Sequence, residues 1–251
     1  MSPARISIAA TLTLLGGACR SGPPAAIDPA LAALVPPAAT ILAGVNLAHL
    51  RASRIRPQFP TAAKALLDSL GSAQSVLIAS DGAKYLVLTR GATLAGATSL
   101  SGGVAGAGSP DWLGARTAGK NTLLPQAETL AATADIWVVA AGNANLPVGG
   151  NGENLNNLLH ATQYTTLIVR LDDRVALEAI GTCSADLAAR HLEETVRAFI
   201  GIGAGATARQ PDLSGVLRRV RVTRDGRAVH VTLAIEAAQL TAVLKLFGVG
   251  S

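Results

Sequence analysis

The 251-residue chain is 49% hydrophobic, only 3% aromatic, and carries a formal charge of +5. Its core must be aliphatic, and the stacking platforms wanted for single-stranded nucleic acid or sugar rings are scarce, which argues against nucleic acid as a partner. The cationic excess is modest and, two arginine groups apart, scattered, so it permits attraction to anionic lipid or polymer without selecting a partner.

Arg5 gives the chain a short positive start. Ile6–Leu15 is an apolar run too short to span a bilayer as a mature helix. Gly16, Gly17 and Ala18 lead into Cys19. Residues 1–18 therefore read as an export signal. The junction Gly16-Gly17-Ala18-Cys19 resembles the lipobox of bacterial lipoprotein signals, in which the cysteine becomes acylated. Gly17 and Ala18 fit its small-residue positions. Gly16 departs from the bulky aliphatic residue usual three before the cysteine, with Leu15 one place earlier. The resemblance covers about twenty residues. It implies a lipid on Cys19 and membrane attachment on the periplasmic side of the cell envelope. Arg20 is not the Asp that retains such proteins at the inner membrane, which favours the outer membrane where the host has one. The other reading is a secretory signal cleaved after Ala18. The second cysteine, Cys183, is then either a buried thiol or the disulfide partner of an unmodified Cys19.

Residues 19–39 are rich in Pro and Ala and read as a tether, with a short helical turn over Asp28–Leu34. A strand is expected at Thr40–Leu47 and a basic connection at Leu50–Phe59, with Arg51, Arg54 and Arg56. Pro60–Leu70 has helical spacing and a glycine stop at Gly71. Ser75–Ala79 and Tyr85–Thr89 form a hairpin. The small residues of Gly91–Ser109 suit an Ala-rich helix with a Gly-rich loop, or a mobile loop throughout. Trp112–Thr117 and Thr122–Leu124 read as short strands, and Gln126–Thr133 as a helix.

Asp135–Ala141 is a strong strand, followed by a Gly/Asn loop at Gly142–Gly152 and a helix at Glu153–Ala161. Tyr164–Cys183 alternates as a hairpin, with Leu167, Val169, Leu171, Val175 and Leu177 on its dry face. Ile168 and Ile180 interrupt the wet face. Ser184 offers a cap to a helix running to Ile200, with Gly201 as its stop and Gly201–Ala208 as a link. Leu217–Thr223 and Ala228–Ile235 read as strands joined at Asp225-Gly226, and Ala237–Phe247 as a closing helix.

The order strand, helix, hairpin occurs twice. Adding a second helix and a further strand to each copy predicts an α+β fold of two tandem, diverged ferredoxin-like (β-α-β-β-α-β) units, with antiparallel sheets covered by helices. The units are placed at 40–125 and 126–251. With the junction Gly181-Thr182-Cys183-Ser184-Ala185, this layout resembles a group of uncharacterised bacterial lipoproteins with a Pro-rich tether and repeated α+β halves. That resemblance implies no activity.

Catalytic signatures are absent from the sequence: no Gly-x-Ser-x-Gly, Ser-x-x-Lys, Walker or His-Glu-x-x-His pattern occurs. Gly201-Ile202-Gly203-Ala204-Gly205-Ala206 loosely matches a dinucleotide fingerprint, but it follows a helix rather than a strand. Gly149-Gly150-Asn151-Gly152 follows a strand and precedes a helix, a setting for a small anion or for a plain surface loop. His49, His160, His191 and His230 lack ligand spacing, so neither a metal nor another cofactor is expected. Asp172 and Asp173, adjacent on a turn, point apart.

Arg218, Arg219, Arg221, Arg224 and Arg227 are the densest charge. They form either a patch for an anion, a lipid headgroup or a protein partner, or a solvated face that discourages edge pairing. The expected function is a non-enzymatic, lipid-anchored envelope protein for binding or assembly, with the membrane and an envelope protein as partners. The alternative is an envelope hydrolase, or a small-ligand carrier with a cavity between two sheets, its site formed only in three dimensions.

Overall fold

The computed structural model describes residues 27–92, 96–114, 120–146 and 152–239. Cys19 and residues 1–18, expected as an export signal, lie outside these residues. Ten strands are described: β1 (Ile41–Asn46), β2 (Ser75–Ser80), β3 (Tyr85–Arg90), β4 (Thr98–Ser99), β5 (Val104–Gly108), β6 (Ile136–Ala141), β7 (Tyr164–Leu171), β8 (Arg174–Thr182), β9 (Arg221–Asp225) and β10 (Ala228–Glu236). They form one sheet in the order β4-β5-β3-β2-β1-β6-β7-β8-β10-β9. Every neighbouring pair is antiparallel.

The helices are α1 (Pro29–Ala32), α2 (Leu47–Ala52), α3 (Thr61–Ser69), α4 (Pro110–Leu113), α5 (Leu124–Ala131), α6 (Gly152–His160), α7 (Asp186–Ala206) and α8 (Pro211–Arg219). The fold is thus α+β on a large antiparallel sheet. The ferredoxin-like order needs the third strand of each unit between the first two. Here β2 lies directly against β1, and β7 against β6, with β3 and β8 outside them. Outward from the centre each half nonetheless repeats one order: first, second, third, fifth and fourth strand.

Both faces of the sheet centre are covered. On one, Leu42, Leu88, Val139 and Ile168 pack beneath Leu31 of α1, Trp112 of α4 and Ala127 of α5. On the other, Val76, Leu171 and Ile235 pack with Leu50 of α2, Leu67 of α3 and Val216 of α8. That double cover explains Thr166 and Ile168, which sit on the expected wet face of the hairpin yet are only 8% and 7% exposed. Of the positions at helical spacing on α7, Leu192 and Val196 pack on the dry face with Ala189 against Val222 and Val229, whereas Leu187, His191, Thr195 and Phe199, expected on the same stripe, are exposed.

Several elements depart from the sequence reading. The tether is docked from Ile27 onward: Asp28 caps α1, accepting from Ala30 N at 2.8 Å, and Leu31 and Val35 are buried. Buried Asn121 secures this segment, donating to Pro36 O at 2.9 Å and Ala39 O at 2.8 Å. Its Oδ1 accepts from Leu123 N, which turns the chain into α5 where a strand was expected. The basic connection begins as α2, capped by the Asn46 side chain on His49 N. The Gly/Ala tract holds β4 and β5, which pair with each other, and β5 pairs on its other side with β3. Trp112 lies on α4 rather than a strand, with 115–119 outside the described residues.

In the second half, α7 starts at Asp186 with Ala185 rather than Ser184 at its cap position, and runs through Gly201 to Ala206. Leu217–Arg219 is helical, in α8, so only Arg221–Asp225 remains as strand. Of the closing helix, Ala237–Gln239 is described, as a 3-10 turn.

Candidate functional site: the groove between α6 and α7

Leu155, Leu158 and Leu159 give α6 a helical apolar side. Leu159 is buried beneath it, whereas Leu155 is 45% exposed. α7 is 21 residues long. Its far side carries Leu187 at 62%, Phe199 at 39% and Ile202 at 68% exposure. Between the two helices runs an open groove of about 410 Å³, lined by Leu158 and Ala161 from α6 and by Ala188, Leu192 and Phe199 from α7. Its polar lining is Asn154, Asn157, His191 and Thr195. No carboxylate or basic side chain other than the His191 imidazole lines it, so the groove suits apolar contact rather than acid–base chemistry. A larger hollow of about 540 Å³ beside β4 is lined by Ser, Gly and small apolar residues and offers no charged group.

The five arginines of the expected anion patch are divided among three elements. Arg218 and Arg219 end α8, Arg221 and Arg224 lie on β9, and Arg227 follows the Gly226 turn. Arg221 stands opposite Thr232 and Arg224 opposite Val229, so strand alternation sends them to opposite faces. Arg224 Nε lies 3.3 Å from Glu193 Oε2, and Arg219 donates to Gln239 Oε1 at 2.9 Å. Arg197 of α7 also pairs with Glu193 and donates to the edge-strand carbonyl of Val222 at 2.7 Å. Arg197 and Arg224 together hold the Glu193 carboxyl below the usual glutamate range. Arg224 and Arg197 thus clasp α7 to the edge strand through Glu193, and Arg197 also satisfies the Val222 carbonyl of that strand.

The histidines occupy separate places. His49 Nδ1 lies 3.1 Å from Asp135 Oδ1, and the buried Asp135 accepts from Leu171 N at 2.6 Å through its other oxygen. Ser53, one turn beyond His49, donates to Leu171 O at 2.7 Å. The pair resembles two members of a catalytic triad, but that hydroxyl is committed to a backbone carbonyl, and the set ties α2 to the β6–β8 corner. Arg54 adds an exposed ion pair to Asp173 at 3.0 Å. His160 Nε2 meets Ala144 O at 3.1 Å, and His230 lies 3.5 Å from Glu178 across β10 and β8. Among the described residues no group of three or more His, Cys, Asp or Glu is placed to hold a metal ion.

Cys183 is fully buried, and burial pushes its thiol up from the ordinary range. The glycines of the loose dinucleotide match lie inside α7, so their amides are engaged in the helix. Of the Gly149–Gly152 loop, only Gly152, at the start of α6, is described. No described helix is long and apolar enough to cross a membrane.

The sequence matches no family model and no curated protein. Among solved structures it is similar to TP0453 in crystal form I, at 11% identity and a TM-score of 0.42, over 89% of this chain and 98% of that one.

Proposed function

We propose that this is a lipid-anchored protein of the cell envelope, exported by residues 1–18 and attached through Cys19, whose body binds or assembles rather than catalyses. The observation that carries the reading is the docking of Ile27–Ala39 onto the sheet, where Leu31 is 1% and Val35 2% exposed. Only Arg20–Ala26 then separates the lipobox-like cysteine from the body. That stretch spans at most about 25 Å when extended, so a lipid on Cys19 holds the body against the membrane surface. The repeated strand order of the two halves supports a diverged duplication of one α+β unit, a scaffold for presenting surfaces rather than a closed active site.

The test is the intact mass of the N-terminal peptide from the membrane fraction of a bacterium expressing the full chain. A diacyl or triacyl addition on Cys19 is expected, and Cys19→Ala should release the protein from that fraction. An unlipidated Cys19 or a retained Met1 on a cytoplasmic protein would sink the reading.

A further inference from the structure

We infer that the end of the sheet from which the chain runs back towards Cys19 is a cationic face that rests on anionic phospholipid headgroups. The inference deepens the anchoring reading above and rests on it for where the membrane lies, but its test uses no lipid on Cys19.

Strand register gathers one set of strand ends together. Asn46 closes β1 opposite Ser75 of β2, Ile136 opens β6 beside Val45, Arg90 closes β3, and Arg174 opens β8 where β7 finishes. The chain enters the body at this end. Ile27 sits beside Asn46, Ser75 and Ala134, and Asp28 Oδ2 lies 3.2 Å from the Arg90 guanidinium. Residues 20–26 reach at most about 25 Å. β1 alone is about 20 Å long, so turning the opposite end to a bilayer would take up most of that reach in running back along the sheet.

The two ends also differ in charge. Arg51, Arg54, Arg56, Arg90, Arg170 and Arg174 lie at the tether end, on α2, the connection after it and the ends of β3, β7 and β8. Asp173, Asp68 and Asp28 pair with Arg54, Arg56 and Arg90. Arg51 and Arg170 are held instead by the backbone carbonyls of Ala73 and Thr133, and Arg174 is exposed, so the positive charge of these three is not matched by a carboxylate contact. Asp172 and Glu236 lie at the same end, and there Arg219 and Lys64 add to the cationic side. At the opposite end no cationic excess exists: Lys84, Lys120 and Arg227 stand among Asp81, Asp111, Asp186 and Asp225. Attraction to an anionic bilayer fades over about 8 Å at physiological salt, so it acts on the end that the tether holds at the surface.

The experiment is sedimentation of residues 20–251, which keep every described residue, with vesicles of phosphatidylcholine alone or containing about 30% phosphatidylglycerol. The anionic vesicles should bind roughly tenfold or more protein than the neutral ones, and raising the salt to about 1 M should release it, because screening then shortens to about 3 Å. R54E with R174E should lower the partition coefficient roughly tenfold or more. R54Q with R174Q, which set no new acid beside Asp172 and Asp173, should lower it by less. K84E with R227E makes the same change in net charge at the other end and should leave it within about twofold. Arg54, Arg174 and Arg227 are exposed and Lys84 is half-exposed, so the melting temperature should hold in all three. Equal binding to both vesicles overturns the headgroup contact. Equal losses from the two pairs of reversals overturn its placement at the tether end. An unacylated Cys19 in the native protein would sink the anchoring reading and leave this result readable.

Discussion

Gly44 and Trp137 stand opposite each other across β1 and β6, where the two halves of the sheet join. A Cβ at Gly44 would fall inside the Trp137 indole, and Trp137 is only 4% exposed with neighbours on every side. Gly44→Ala is therefore expected to cost about 1–3 kcal/mol through overpacking, read as a lowered midpoint in urea with an unchanged slope. Cys183 makes a second residue-scale prediction. Its raised pKa means the folded state holds the thiol proton more tightly than the unfolded chain does. Its contribution to stability is full below the ordinary thiol value of about 8.5 and is lost as pH rises through the folded value. A thiol reagent at pH 8 should leave Cys183 unmodified in the native protein and label it in denaturant; rapid native labelling would contradict the burial.

At the scale of elements, α7 carries three glycines in its last turns, where each costs about 0.8–1 kcal/mol relative to alanine. No atom outside the helix lies within 4 Å of a Cβ built on Gly201 or Gly205, whereas one on Gly203 would touch Leu217. Gly201→Ala and Gly205→Ala should each raise stability by about 0.5–1 kcal/mol, seen as a higher melting temperature; a decrease would mean that this end of α7 is not helical. The same helix shows why local signals mislead. Gly201 reads as a stop because glycine often follows a helix, but α7 runs on to Ala206, with Gly203 facing Leu217 of α8. Ser184 signalled the helix start to within two residues.

For the whole molecule, the β1–β6 junction is part of a continuous core, with Leu42 beside Val139 in register. α2 adds polar ties from the first half to the second through His49–Asp135 and Ser53–Leu171. Thermal unfolding should therefore be one cooperative transition, with calorimetric and van't Hoff enthalpies equal. Two separable transitions would show that the halves are independent domains after all.

Strands with strong alternation or continuous apolar runs, such as β6, β7 and β8, were legible from the residues alone, because period and β-branched content are local properties. So were α3, α6 and most of α7, and so were the two elements that make the candidate groove. The groove itself was not legible, because nothing local says that the outward side of α7 stays uncovered while its inward side meets Val222 and Val229. β5 was missed for a related reason. Val-Ala-Gly-Ala-Gly has little strand propensity, and only pairing with β3 and the cover of Leu100 and Leu113 over Gly106 make it a strand. The arginine cluster was found as a charge run, but its division between α8, β9 and a turn depended on where α8 ends. By itself the sequence determined an aliphatic α+β body, because composition, alternation and helical spacing act over neighbouring residues. Strand order, the single shared sheet, the docking of Ile27–Ala39 and the bare stripe of α7 were decided only in the tertiary structure. They depend on contacts between residues far apart in the chain, whose pairing no local pattern encodes.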